Sequence, residues 1–294
     1  MKQLVHNLAT GEGQVWDVPA PQPGPNDIVV RNRASVISAG TERTVIEFSQ
    51  QTLLGKALSR PDLAREALAK AKRDGVLATL DSIRNRLNEP AALGYSSAGE
   101  VIATGSDVTE FRIGNRVACA GGGYAVHAEA VRIPRTMAAL LPASGHLALS
   151  FEEAAFAAIG SVALHALRLA SVQVGEAVAI IGLGLIGQLA VQLASAAGCR
   201  VVGIDPDVSR CDLARGLGCE RVASTPELFE SMVNELTRGL GADVVLIAAA
   251  SAGSEALEVA ARVARDRACV VSVGATGMEL PRKAFYEKEI DFKI

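Results

Sequence analysis

The run Ala177-Val-Ala-Ile-Ile-Gly-Leu-Gly-Leu-Ile-Gly-Gln-Leu-Ala places glycines at 182, 184 and 187, a G-x-G-x-x-G spacing with a chemical use. Gly182 permits a tight turn, Gly184 leaves room for a pyrophosphate to approach the backbone, and Gly187 lets a helix pack closely on a strand. The N–H groups around Leu183, Leu185 and Ile186 then face a phosphate at a helix start, helped by the positive end of the helix dipole. A second apolar run, Cys199-Arg-Val-Val-Gly-Ile-Asp205, ends in a carboxylate 23 residues after Gly182, where an acid accepts hydrogen bonds from an adenosine ribose. These residues point to a dinucleotide. Asp205 favours NAD(H) over NADP(H), because a 2′-phosphate would meet its charge; Arg210 softens that preference if it reaches back toward the ribose. Flavin and S-adenosylmethionine compete for the same motif, and a turn made only for packing would need no ligand.

Such residues need a parallel sheet to position them, and the chain from Ser150 onward has the pattern for one. Helical runs at Phe151 to Leu169, Val208 to Leu217, Pro226 to Arg238 and Gly253 to Arg265 alternate with β-branched runs at 177–181, 199–205, 242–249 and 268–274, which calls for helices on both faces of a parallel sheet. Ligands lie at the carboxyl ends of such strands, here near Gly182, Asp205, Ala249 and Gly274. Residues 1 to about 150 read differently. Short alternating runs at Met1–His6, Gly13–Val18, Asp27–Ile37, Ala98–Thr104, Arg116–Ala120 and Tyr124–Ile133, separated by Pro- and Gly-rich joints, predict an antiparallel, barrel-like domain. A helical insertion over 52–90 interrupts it, with basic residues read as a solvated face.

The 294 residues allow two domains, 1–150 and 151–294. A net charge of −3 and a pI near 5.9 suggest neither nucleic acid nor an anionic membrane as partner. There is no apolar run of the ~18 residues a spanning helix needs and no signal-peptide pattern, so a cytoplasmic protein is expected. The cysteines at 119, 199, 211, 219 and 269 form no C-x-x-C pair and read as free thiols.

Ser38-Ala-Gly-Thr-Glu42, Gly94-Tyr-Ser-Ser-Ala-Gly-Glu100, Gly114-Asn-Arg-Val117 and the GLGLIG turn resemble the medium-chain dehydrogenase/reductase superfamily. The resemblance runs over nearly the whole chain and is nearest to the N-terminal part of bacterial bi-domain oxidoreductases. It implies an α/β chain with a GroES-like antiparallel β-barrel domain followed by a doubly wound, Rossmann domain. The chain departs from zinc-dependent members at each ligand position. Ala39 stands for a cysteine, Tyr95 for a histidine, and the third ligand falls near Ala158; the four-cysteine structural lobe is also missing. No metal is therefore expected, since catalytic zinc needs about three N, S or O ligands.

The same resemblance assigns the remaining chemistry. Thr41 matches a hydroxyl that relays the substrate proton, and Tyr95 can donate to a carbonyl oxygen; each has a structural alternative, as a turn hydroxyl or a packed aromatic. Glu42 is expected to pair with Arg43 or Arg116, His165 to be a core histidine, and His127 to lie near the cleft after the glycine run, with no role assigned to it. The leading expectation is a zinc-independent oxidoreductase moving hydride between NAD(H) and an alcohol/carbonyl pair in an interdomain cleft. Reduction of an enone or quinone, or a non-catalytic NAD-binding role beside a second oxidoreductase domain, remain open. So do a homo-oligomer and a fused C-terminal oxidoreductase domain. Ending on the strand Ile290-Asp-Phe-Lys-Ile294, the Rossmann domain reads as truncated.

Overall fold

The computed structural model describes residues 1–7, 10–51, 55, 65, 69, 73, 90–142, 148–251 and 253–294. Most of the expected insertion over 52–90 lies outside these residues; positions 55, 65, 69 and 73 are helical. The chain divides into two units, Met1–Ala158 and Ile159–Ile294.

The first unit holds two antiparallel sheets. In one, β1 (Lys2–Asn7) lies between β2 (Gly13–Asp17) and β4 (Pro90–Ala92). In the other, β3 (Asp27–Ser35), β5 (Ser96–Thr104), β6 (Arg116–Ala120), β7 (Ala130–Pro134) and β8 (Ala138–Leu140) take the order β7-β3-β5-β6-β8. The β3–β5 register shifts between Val29 and Val30 and again between Asn32 and Ala34. Such bulges bend a strand and increase its twist, and this sheet curls as a GroES-like half-barrel around Ile28, Val30, Val101, Phe111, Val117 and Ile133. Gly99 marks a close approach of β5 to β3, because a Cβ there would run into the Arg31 carbonyl.

Two readings of this unit change. The run Tyr124–Ile133 is a strand only from Ala130; Tyr124 and Ala125 instead turn back onto the Gly121 carbonyl. The residues after Ser38, for which no element was expected, form α1 (Ala39–Gln50), although Gly40 and the β-branched Thr41, Thr44, Val45 and Ile46 disfavour a helix. Local capping prevails: the Glu42 carboxylate accepts from the Ser38 N–H at 2.9 Å, and the Glu42 N–H donates to Ser38 O. Further on, the helix expected over Phe151–Leu169 is two helices. α2 (Phe151–Ala154) opens on a Ser150/Glu153 capping box, and α3 (Ala157–Leu169) follows after Ala155 and Phe156.

The second unit is a six-stranded parallel sheet. Its strands are β9 (Ala177–Ile181), β10 (Arg200–Ile204), β11 (Arg221–Ala223), β12 (Ala242–Ile247), β13 (Ala264–Ser272) and β14 (Asp291–Lys293). They lie in the order β11-β10-β9-β12-β13-β14, the 3-2-1-4-5-6 arrangement of a doubly wound fold. Between them run α4 (Leu185–Ala196), α5 (Val208–Gly216), α6 (Pro226–Thr237), α7 (Glu255–Val263) and α8 (Arg282–Glu287). Two cores result: Phe229, Val233, Leu257 and Phe285 belong to one, and Leu183, Val191, Cys211 and Leu246 to the other. The helix expected to run to Arg265 stops at Val263, and β13 begins directly at Ala264. Lys288 closes this end of α7, its ammonium donating to the carbonyls of Ala261, Arg262 and Ala264. The short β11 and α8 were not anticipated from the sequence. Among the described residues no helix is long and apolar enough to cross a membrane.

Candidate functional site

In a doubly wound sheet the strand order reverses at one point, and the crevice there receives the ligand. Here the reversal falls between β9 and β12. Gly182 leaves β9 with a left-handed φ of +93°, and a Cβ on it would sit 2.6 Å from the Ala249 nitrogen. Ala249 N–H in turn donates to Ile181 O at 3.0 Å, while Gly274 N–H donates to Ile247 O. A Cβ on Gly274 would run into the Ala249 carbonyl, and one on Gly187 into the Gly182 carbonyl. Thus Gly182, Gly187, Ala249 and Gly274 meet as backbone against backbone.

Gly184 behaves oppositely. Nothing lies within 4 Å of where its Cβ would be. It is the N-cap of α4 and offers no side-chain cap, so the helix opens on bare amides at Leu185 and Ile186 beside open space. An uncapped helix start with a glycine gap is suited to an anion. The residues present therefore fit a pyrophosphate.

Leu183 sits differently from expectation. Its side chain is fully buried against Gly203, and its N–H donates to Asp205 Oδ2 at 2.8 Å. The other Asp205 oxygen accepts the Asp207 N–H at 2.9 Å. Asp205 is 4% exposed, and its two backbone bonds tie the glycine turn to the end of β10. Arg210 reaches back, as the sequence allowed, with Nη1 3.5 Å from Asp205 Oδ2 and Nε 3.5 Å from Asp207 Oδ2. Bonds from Ser209 hold the Asp207 carboxyl below its usual range, and the Arg210 charge adds to this. Gln188, unnoticed in the sequence, braces the turn from below: its amide donates to Leu183 O and Arg210 O.

The first unit gathers a second set of groups. The Tyr95 hydroxyl donates to Ser38 Oγ at 2.9 Å, and Ser38 Oγ donates to Thr41 Oγ1 at 3.3 Å. Thr41 and Tyr95, 54 positions apart in the chain, thus share one hydroxyl. The direction of these bonds leaves the Thr41 O–H as terminal donor, with no acceptor among the described residues. Sequence reading missed Ser38 as the bridge; its place as cap of α1, three residues before Thr41, was the available signal.

Two expectations are corrected here, one in each unit. Glu42 pairs with neither arginine: Arg43 bonds Glu47, and Arg116 lies over the Phe151 ring and donates to Leu149 O. Instead Glu42, 6% exposed, faces His127, whose Nε2 is 3.1 Å from Glu42 Oε2. Apposition of α1 to the segment before β7 creates this pair, and no local spacing could have announced it. His165, expected in a core, lies exposed on α3.

Ala39 opens α1 and Ala158 lies in α3; neither has a donor atom. With Tyr95 bonded to Ser38, these positions do not fit zinc. Among the described residues no three His, Cys, Asp or Glu side chains come together as a metal-ligand group.

Comparison with known proteins matches residues 66–145 to the alcohol dehydrogenase GroES-like domain and residues 186–293 to the zinc-binding dehydrogenase domain. The chain belongs to the medium-chain dehydrogenase/reductase superfamily. Within this superfamily, D-guloside 3-dehydrogenase of Escherichia coli K12 is 37% identical over 163 residues, covering 52% of this chain and 43% of that protein. The alignment thus spans less than half of that relative's length. An alcohol dehydrogenase of Geobacillus stearothermophilus is 29% identical over 273 residues, covering 82% of this chain and 80% of the relative. An alcohol dehydrogenase superfamily structure from Novosphingobium aromaticivorans superposes with a TM-score of 0.75 at 25% identity, over 99% of this chain and 78% of that one. The quinone oxidoreductase of Escherichia coli, solved with NADPH, shares the fold at a TM-score of 0.72 and 21% identity, over 99% of this chain and 80% of its own.

Proposed function

We propose that this chain is a nicotinamide-dependent oxidoreductase that prefers NAD(H) and works on a small alcohol/carbonyl substrate without zinc. One observation carries the reading: an uncapped helix start behind the open Gly184 position, flanked by a buried, backbone-anchored Asp205. Leu185 and Ile186 would hold the pyrophosphate through their N–H groups. Asp205 keeps unused lone pairs for ribose hydroxyls. Arg210 is shared between Asp205 and Asp207, so one guanidinium faces two carboxylates, which limits how far it softens the preference against a further phosphate at the ribose. The cofactor, when bound, supplies or accepts the hydride.

This chain's own contribution is polarisation. The Thr41 hydroxyl, oriented by Ser38 and Tyr95, donates to a substrate oxygen on which negative charge develops, and each upstream bond strengthens the next. The loss of donor atoms at Ala39 and Ala158 supports a metal-free reaction. The test is titration of NADH and NADPH into wild type and Asp205→Ser by calorimetry. Tighter NADH binding in wild type, narrowed by the substitution, is expected; equal wild-type affinities overturn the preference. Stoichiometric zinc lost together with activity on chelation overturns the metal-free reading.

A further inference from the structure

We propose that Ser35, His127 and Glu42 form a second reactive centre, at which Ser35 is acylated by activated carboxylic esters. Ser35, exposed at the end of β3, places Oγ 2.8 Å from His127 Nδ1, and His127 Nε2 is 3.1 Å from Glu42 Oε2. A buried carboxylate only accepts, so the proton between Glu42 and the ring sits on Nε2. Neutral His127 then presents a lone pair at Nδ1, and the Ser35 hydroxyl donates to it. Hydroxyl, imidazole and carboxylate in that order make an activated nucleophile, recognised by roles rather than by chain position. The two ring nitrogens are exchanged relative to serine proteases.

The ring is held firmly. His127 N–H donates to Leu93 O at 2.8 Å, and a Cβ on Gly94 would lie 3.0 Å from Nε2 and Cε1. Glu42 is fixed in turn by the Ser38 N–H. The amide after the nucleophile is already used, since Val36 N–H donates to Ser96 O, so it does not serve a developing oxyanion. That restricts the substrates to unhindered esters with a stable leaving group, such as aryl esters of small acids. In the step, Ser35 Oγ bonds to the carbonyl carbon, the hydroxyl proton passes to His127 Nδ1, and the aryloxide leaves with the electrons of the broken C–O bond. That proton leaves to solvent with the aryloxide, so neutral His127 takes a proton from the water that adds to the acyl carbon; the Oγ–C bond breaks, this proton passes to Ser35 Oγ, and the acid is released.

The experiment is incubation with p-nitrophenyl acetate, with release of nitrophenol followed in time and acetylated sites mapped by mass spectrometry. An acetyl group on Ser35 is expected, lost in Ser35→Ala and formed about tenfold more slowly or worse in His127→Gln and Glu42→Gln. Ser106 and Ser209, exposed serines bonded to carboxylates without an imidazole, serve as controls within the same wild-type chain, so the result stands even if a variant fails to fold. Acetylation confined to lysines and the N-terminus, or Ser35 labelled no faster than Ser106 and Ser209, overturns the proposal. Cofactor titration reads the second unit separately, so failure here and failure of the redox reading are distinguishable.

Discussion

The glycine turn of the second unit and the hydroxyl array of the first are both organised by one buried carboxylate, yet they are built from different material. At the turn, Asp205 fixes backbone amides, and the surface offered to a ligand is main chain at a helix start. In the array, Glu42 fixes Ser38 and His127, and what is offered is side-chain hydroxyl and imidazole. A backbone site depends on which Cβ atoms are missing. A side-chain site depends on which strands and helices meet.

Substitution at the turn should therefore produce the largest effect. Gly187→Ala drives a Cβ into the Gly182 carbonyl, and overpacking against backbone costs about 3 kcal/mol or more; urea denaturation and calorimetry should show lower stability together with loss of nucleotide binding. If Gly187→Ala is tolerated, the backbone account of this site is wrong. Next comes Thr41→Val, which removes the terminal donor of the array and should lower kcat about 100-fold while nucleotide affinity stays unchanged. A change confined to KM would place Thr41 in binding alone. Asp205→Ser should weaken NADH about tenfold, near 1.4 kcal/mol, and also lower stability, because the Leu183 and Asp207 amides lose an ionised acceptor.

The buried cores of the two units, unlike the two sites, should respond alike. Burial pushes the thiols of Cys119, in the first unit, and Cys219, in the second, up to about 12. Unfolded thiols ionise near 9.0, so above that pH the folded chain retains protons that the unfolded chain has released. Stability contributed by each thiol is complete below pH 9 and declines as pH climbs toward 12. Urea midpoints at pH 8 and pH 10 should fall less steeply in Cys119→Ala and Cys219→Ala than in wild type. The smallest effect belongs to Gly184→Ala. With nothing within 4 Å of the new methyl, stability should change by only a few tenths of a kcal/mol, while nucleotide affinity drops as the methyl occupies the phosphate gap. A large loss of stability there would erase the contrast with Gly187.

The same contrast explains what could be read from the sequence. The turn was legible because Gly182, Gly184, Gly187 and Asp205 lie within one strand-helix-strand stretch, and each glycine has a reason independent of distant contacts. The parallel sheet was legible for the same reason, since helices and β-branched runs alternate locally. The array was legible only in its members. Thr41 and Tyr95 could be named, but Ser38 as their bridge required α1 to fold against its propensity, and the Glu42–His127 pair required residues 85 positions apart to meet. His165 misled because apolar neighbours in sequence do not reveal which face of a helix is covered. Leu183 misled in the other direction: its amide looks free in a motif and is engaged in the fold.

That engagement has a thermodynamic consequence. Because Asp205 already holds the Leu183 and Asp207 amides, the turn keeps its shape without a guest, and little conformational entropy is lost when one arrives. Association should be fast and free of a slow ordering phase. Replacing Asp205 would convert a rigid receptor into one that must be ordered by its ligand.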